Sequence, residues 1–254
     1  MRVLIGHTGF VGSNLNRQRP WDALINTRNS DDLSGMSADL VVCAGVYAEK
    51  WRANAEPKAD LAQIDAFCTT LGKLRTERFI LVSTVDVYPR GHARDEDETP
   101  TPTEDSPYGY HRFLLEERVR SMFETAHVVR LPALYGPGLK KNALFDMKNR
   151  HRLEFINPDA RFQWYGLDRL ANDLDIAVEH EIETVNLMTE PLEISAIADR
   201  FFPDIRLEQT DGPAPLYDVG TRHAGAFGGK GRYIENSETA LQGIGRYIQA
   251  DRQA

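Results

Sequence analysis

The chain alternates short apolar runs with longer stretches whose apolar residues recur every three or four positions. The runs are Val3–Ile5, Ala23–Asn26, Leu40–Ala44, Phe79–Ser83, Val128–Leu131 and Val185–Leu187. Runs of this kind suit strands covered on both faces of a parallel sheet. The amphipathic stretches predict helices over Val11–Gln18, Pro57–Leu74, Pro107–Glu124, Leu167–Val178 and Ile194–Phe201. Strand and helix in alternation predict an α/β fold, a doubly wound parallel sheet with helices on both faces. Only about a dozen residues, Thr27 to Ala38, join the second run to the third. A helix plus a further strand does not fit there, so this edge of the sheet is expected to be trimmed.

The first run leads into Gly6-His7-Thr8-Gly9-Phe10-Val11-Gly12 and then into the first predicted helix. Glycines at this spacing turn the chain sharply, admit backbone close to a pyrophosphate and let the helix pack on the strand. The helix start then aims its N–H groups and positive dipole end at phosphate. Gly6, Thr8, Gly9, Phe10, Val11 and Gly12 are the expected nucleotide-binding residues. A second constellation follows the fourth run: Thr84-Val85-Asp86-Val87-Tyr88, then Ser106-Pro107-Tyr108-Gly109-Tyr110-His111-Arg112. Ser106 before Pro107 predicts a helix start with Ser106 as its N-cap. Tyr108 and Arg112, four residues apart, fall side by side on one helical face.

Together these patterns resemble the extended short-chain dehydrogenases, the NAD(P)-dependent epimerases, dehydratases and reductases of the sugar-nucleotide type. Gly6–Ser13 is especially similar to the fucose-synthase-type reductases among them. The resemblance continues in order through Val42-Cys43-Ala44-Gly45-Val46, Val129-Arg130-Leu131-Pro132-Ala133-Leu134-Tyr135-Gly136-Pro137-Gly138 and Arg161-Phe162-Gln163-Trp164-Tyr165. It covers residues 1–188, and loosely Thr184–Phe202 and Tyr217–Gly231. It implies a Rossmann-like core over about 1–132 and 161–188, with a small discontinuous substrate lobe over about 133–160 and 189–233. Ala44, Gly45 and Pro132 then flank the cofactor, Thr84 and Tyr108 match the family's catalytic Ser/Thr and tyrosine, and Arg112 stands where the family has lysine.

A phenol ionises near pH 10, so acid/base work near neutrality requires that this fall by about 2–3 pH units. A cation four residues away on the same helix is expected to supply much of that. Arginine keeps the charge but is bulkier than an ammonium and does not pass a proton on. Asp86 is a candidate second acid/base, or a carboxylate capping a loop. A lone carboxylate here departs from the Thr-Asp-Glu of the dehydratases and argues against dehydration.

At the end of the second run, Ile25-Asn26-Thr27-Arg28-Asn29 carries an arginine and no acid. A guanidinium suits a ribose 2′-phosphate, which favours NADP over NAD, and Arg28 is the candidate partner. Lys140, Lys141, Asn142 and Arg161 are candidate contacts for a nucleotide sugar or another anion, with a solvated basic turn as the alternative. Two functions follow. One is an NAD(P)-dependent reductase or epimerase acting on a sugar nucleotide or related carbonyl. The other is an NADP-binding sensor of the same fold that has lost catalysis, supported by Arg112, by Ala133 in place of the family's asparagine and by the trimmed edge.

A net charge of −8 argues against a nucleic-acid surface. Cys43 and Cys68 lie in apolar stretches and are expected to be buried, reduced thiols, which suits the cytoplasm. No apolar run approaches the ~20 residues needed to cross a membrane. The seven histidines show no metal-ligand spacing, so no metal is expected. The sequence leaves room for a homodimer. Arg90–Pro107 is acidic, rich in proline and expected to be a solvated loop, while Gly225, Gly228, Gly229 and Gly231 read as a mobile turn.

Overall fold

The structure, a computed structural model, describes residues 1–46, 48–89 and 91–251. Six strands, β1 (Arg2–Ile5), β2 (Ala23–Ile25), β3 (Ser37–Cys43), β4 (Arg75–Thr84), β5 (Ala126–Leu131) and β6 (Thr184–Asn186), form one parallel Rossmann-like sheet. Their order is β2-β1-β3-β4-β5-β6. Among the described residues eight α-helices accompany them: α1 (Phe10–Gln18), α2 (Lys50–Ala55), α3 (Pro57–Leu71), α4 (Pro107–Met122), α5 (Ala143–Asn149), α6 (Leu170–Glu179), α7 (Ile194–Phe201) and α8 (Ser237–Asp251). Between β2 and β3 the described chain makes a single 3-10 turn, Ser30–Leu33, with no further strand.

The chain divides into two compact units. The first takes described residues within 1–89, 98–130 and 169–185. Its sheet register places Ala23, Val3, Val41 and Phe79 side by side, and Ile25, Ile5, Cys43 and Leu81 in the next row. Residues opposite each other across strands share a face, and Ile64 and Leu71 of α3 and Leu115 and Val119 of α4 close this one. Phe123 stacks on Phe79 with ring centroids 4.3 Å apart. Each large apolar side chain so buried contributes about 1.5–3 kcal/mol.

The second unit takes described residues within 91–97, 131–168 and 186–251. Ala133–Tyr135 pairs parallel with Trp164–Gly166, and Arg161–Phe162 antiparallel with Leu192–Glu193. The sequence pattern did not predict α8, because Gly243 and Gly245 interrupt it and each glycine costs a helix about 1 kcal/mol. Packing explains both. A Cβ on Gly243 would lie 2.2 Å from the Tyr135 hydroxyl, and one on Gly245 would lie 2.9 Å from the Phe201 ring.

Three other expectations change. Part of the acidic segment is held rather than solvated: His92–Ala93 pairs with Asp218–Val219. Glu96 there accepts the backbone N–H groups of Asn186, at 2.6 Å, and Arg222, at 2.9 Å. Arg90, the first residue of that segment, lies outside the described residues. The glycine cluster, expected to be mobile, is a turn closed by hydrogen bonds. It follows the 3-10 turn Ala224–Phe227 and is held by Gly229 N–H donating to the Ala224 carbonyl at 2.9 Å. Both cysteines are free thiols, Cys43 buried and Cys68 only half-buried.

Burial pushes the Cys43 thiol up to about 12, whereas an exposed thiol in the unfolded chain ionises near pH 8.5. The folded value is the higher, so this stability is fully present below about pH 8.5 and is lost on the way to 12. The loss runs at about 1.4 kcal/mol per pH unit. Cys43→Val removes the thiol at nearly constant volume. Urea melts from pH 8 to pH 10 should therefore lose stability less steeply in the variant than in wild type, and equal slopes would refute the account.

Candidate active site

Strand order reverses between β1 and β3, and the carboxyl ends of strands at such a switch point flank a crevice. β1 ends in Gly6 and β3 in Ala44 and Gly45. Gly6 has φ +84°, and a Cβ there would lie 2.6 Å from the Ala44 carbonyl oxygen. A Cβ on Gly12 would lie 2.2 Å from the Gly6 carbonyl oxygen, so α1 seats on β1 only with glycine there. Gly9 differs: it is exposed, and its Cβ would meet nothing closer than 3.4 Å. Thr8 is exposed beside it, and Phe10 and Val11 are half-buried. No side chain caps α1 and no acid lies in its first turn, which suits an anion at its amides. Arg28 is exposed at the end of β2, its backbone N–H donating to Asn26 Oδ1 at 2.8 Å. Asn26 Nδ2 lies 3.0 Å from His7 Nε2, which ties that end to the glycine turn.

Thr84 closes β4, and the 3-10 turn Val85–Val87 follows. Thr84 Oγ1 accepts the Asp86 N–H at 3.2 Å and donates to Asp86 Oδ2 at 3.3 Å. The Thr84 side chain also faces the Tyr108 phenol and favours its ionised form. Tyr108 sits in the first turn of α4, buried, with the Arg112 guanidinium 4.3 Å from its ring centroid. The i, i+4 adjacency read from the sequence is present as cation–π stacking. Arg112 Nη1 also donates to Asp60 Oδ2, and His111 Nδ1 lies 2.7 Å from the same oxygen.

Burial is the largest influence on the Tyr108 phenol and raises its pKa. Arg112 opposes this, Asp86 reinforces it, and Lys50 and the Thr84 side chain oppose it again. Arg112 lowers the pKa as expected, but the net shift is upward and the expected net lowering is overturned: desolvation outweighs a cation already shared with Asp60.

The remaining candidates belong to the second unit. Pro132 is buried, and Lys140 and Lys141 are exposed. Asn142 caps α5: its Oδ1 accepts the Phe145 N–H at 3.1 Å and its Nδ2 donates to the Leu134 carbonyl at 2.9 Å. Its φ of 132° is one that side-chain-bearing residues rarely adopt. Arg161 is exposed and ion-paired with Glu193, its register partner across the strands.

Sequence reasoning missed four residues at the Tyr108 centre. Asn54 Oδ1 accepts the Tyr108 N–H at 3.1 Å, while the Ser106 side chain, expected to cap α4, makes no capping bond. Gly109 carries no Cβ where one would lie 2.0 Å from the Asp86 carbonyl oxygen. A glycine in the first turn of a helix was a usable signal of close approach. Asp60 and Lys50 gave none, lying on a helix and a connection that fold back from elsewhere in the chain. Lys50 Nζ is 2.6 Å from Asp86 Oδ1.

Residues 23–154 match the NAD dependent epimerase/dehydratase family. The chain belongs to that family. Its enzymes use NAD(P), and the matched stretch contains Thr84, Asp86, Tyr108 and Arg112. No curated protein matches the chain significantly. Solved structures do. UDP-glucose 4-epimerase from Thermotoga maritima is 15% identical, with a TM-score of 0.77 over 100% of this chain and 99% of that one. A dTDP-4-dehydrorhamnose reductase from Clostridium acetobutylicum is 15% identical, with a TM-score of 0.75 over 99% and 100%. The Bacillus anthracis dTDP-4-dehydrorhamnose reductase, in complex with NADP, is 13% identical, with a TM-score of 0.76 over 98% of each chain. At such identities the likeness establishes the fold alone. Among the described residues no group of three or more His, Cys, Asp or Glu side chains is placed to hold a metal ion, and no helix is long and apolar enough to cross a membrane.

Asp60 is the counter-charge to a buried guanidinium, with Arg112 4% and Asp60 11% exposed. Removing one partner of such a pair costs about 3–5 kcal/mol. Asp60→Asn should lower the urea midpoint accordingly without changing m, and a loss under about 1 kcal/mol would show that the pair is solvated.

Proposed function

We propose that this chain is an NADP-dependent reductase or epimerase acting on a carbonyl or hydroxyl of a sugar nucleotide or related compound. Thr84, Tyr108, Arg112 and Asp86 form its polar centre. The observation that carries the reading is the Thr84–Asp86 pair at the end of β4, packed against the start of α4 that bears Tyr108 under Arg112, in the same unit as the glycine cradle of β1 and β3. The cradle fits a dinucleotide: Gly6 and Gly12 bring α1 down onto β1, and Gly9 leaves open the space over uncapped amides. Gly6, Thr8, Gly9, Phe10, Val11 and Gly12 would hold the pyrophosphate, Arg28 the 2′-phosphate, and Ala44, Gly45, Arg112 and Pro132 the rest. Bound there, the nicotinamide supplies or accepts the hydride.

The protein's own part is oxygen and proton chemistry. The Thr84 hydroxyl positions the substrate oxygen, and the Tyr108 hydroxyl gives that oxygen its proton as negative charge develops on it. With its pKa raised, Tyr108 holds that proton throughout the neutral range, which supports reduction as the favoured direction. Arg112 fixes the ring of Tyr108 from its face. In the second unit, Lys140 and Lys141 are exposed, Asn142 caps a helix and Arg161 holds Glu193, and all four are candidates for a substrate anion. One observation favours the sensor reading: Arg112, in the place of the family's lysine, is committed to Asp60.

Calorimetry should show NADP binding more tightly than NAD. Arg28→Ala should weaken NADP alone by about ten- to a hundred-fold, the worth of a charge-assisted contact of roughly 1.5–3 kcal/mol. Equal affinities for both cofactors in both proteins would remove Arg28 from the site. In assays of NADPH consumption across a panel of carbonyl compounds, Tyr108→Phe should cut turnover by about 10²–10⁴ with cofactor binding intact. The reductive rate should also show no Tyr108-dependent fall between about pH 6 and pH 9, because the phenol ionises above its ordinary value near 10. Tight NADP binding with no turnover on any member of the panel would favour the sensor.

A further inference from the structure

Arg112, in the place of the family's lysine, does not return a proton to Tyr108, because a guanidinium stays charged. A different cation stands beside Asp86. Lys50 opens α2, directly after the connection from β3, and its Nζ lies 2.6 Å from Asp86 Oδ1. The other oxygen of that carboxylate, Oδ2, accepts from Thr84 Oγ1 at 3.3 Å, and the first turn of α4 brings Tyr108 against both segments: Gly109 packs on the Asp86 carbonyl and the Tyr108 N–H donates to Asn54 of α2. The Lys50 side chain is 48% exposed while that of Asp86 is 20% exposed, so these groups run from the buried phenol to solvent.

We propose that Lys50 is the lysine of this centre, contributed from the start of α2 rather than from α4 and coupled to Tyr108 through Asp86 and Thr84. The inference rests on the function proposed above. Once Tyr108 has given its proton to the substrate oxygen, the phenolate takes the proton of the Thr84 hydroxyl. Thr84 takes one from Asp86, which first accepts it at Oδ1 from the Lys50 ammonium and, as the neutral acid, turns about its Cβ–Cγ bond to present it to Thr84. Thr84 and Asp86 end as they began, the phenol is restored, and the neutral Lys50 amine regains a proton from water. No redox partner is involved.

The charges facing these groups are few. Arg112 faces Tyr108 from within α4 and is itself held by Asp60 of α3, which His111 also contacts. Asp86 faces Tyr108 from the turn after β4. On α2 the neighbouring charges are spoken for, Arg52 lying between Glu49 and Glu56 at 3.9 and 3.5 Å. Lys50 is therefore the cation on the solvent side of Tyr108, and Arg112 the one on the buried side.

The test places a fluorinated tyrosine, whose phenol ionises at lower pH than tyrosine, at position 108. Its ¹⁹F shift is titrated in the full-length protein, alongside NADPH-dependent turnover of the unlabelled proteins. Lys50→Met should raise the phenol midpoint by about one pH unit and cut turnover by about ten- to a hundred-fold, with the NADP dissociation constant unchanged. Lys50→Arg should restore the midpoint, since it restores the charge, but not the turnover. A Lys50→Met midpoint within a few tenths of a unit of wild type overturns the assignment, and so does full turnover by Lys50→Arg. The two failures are separable: a wild-type protein that consumes no NADPH sinks the proposed reaction, while the ¹⁹F titration still decides the coupling of Lys50.

Discussion

One buried carboxylate, Glu116, ties together the elements that carry Thr84 and Tyr108. It is fully buried on α4, and Arg130 of β5 meets it through Nε at 3.1 Å and Nη2 at 2.7 Å. Ser83 of β4 donates to its Oε1 at 2.5 Å, and the other guanidinium arm reaches the Tyr88 hydroxyl at 2.7 Å. Two strands, a helix and the turn after β4 are thereby held to one another by charge-assisted bonds in a place where leaving any one unmade is costly. Ser83 precedes Thr84, and Tyr108 lies about two turns up α4 from Glu116. Thr84 and Tyr108 thus stand on elements pinned together at that anchor.

Above the anchor, the centre balances two cations against two carboxylates while keeping a phenol out of water. Arg112 with Asp60 and Lys50 with Asp86 are each paired, so neither cation acts at full strength on Tyr108. Desolvation then decides the direction. A buried hydroxyl keeps its proton, which suits an acid better than a base, and the same arrangement read without burial points the opposite way.

That reversal marks how far the amino-acid pattern could be read. The sheet was legible because strands covered on both faces must be nearly continuous apolar runs, and all six appear close to where the pattern places them. α8 was hidden by two glycines whose reason is the shape of Tyr135 and Phe201, side chains more than forty residues away along the chain. Spacing alone showed Tyr108 beside Arg112. It did not show Asp60 claiming the guanidinium, Asn54 replacing Ser106 at the start of α4, or Lys50 arriving beside Asp86. Each of these depends on segments meeting only when the fold is complete. The acidic segment misled for a similar reason: charge predicts solvation unless backbone N–H groups, as at Glu96, offer an alternative.

α2 carries both Asn54 and Lys50 within six residues and buries little beyond Ala53. An isolated helix of that length is far below the ~12–15 residues at which helices hold together in water. Its folded population is set by docking rather than by its own propensity. Its undocking would break the Asn54–Tyr108 and Lys50–Asp86 contacts in the same event, so these two contacts form or break together in a local opening equilibrium. Any ligand that needs the assembled form binds with an apparent affinity scaled by the docked fraction, and in binding it draws α2 closed.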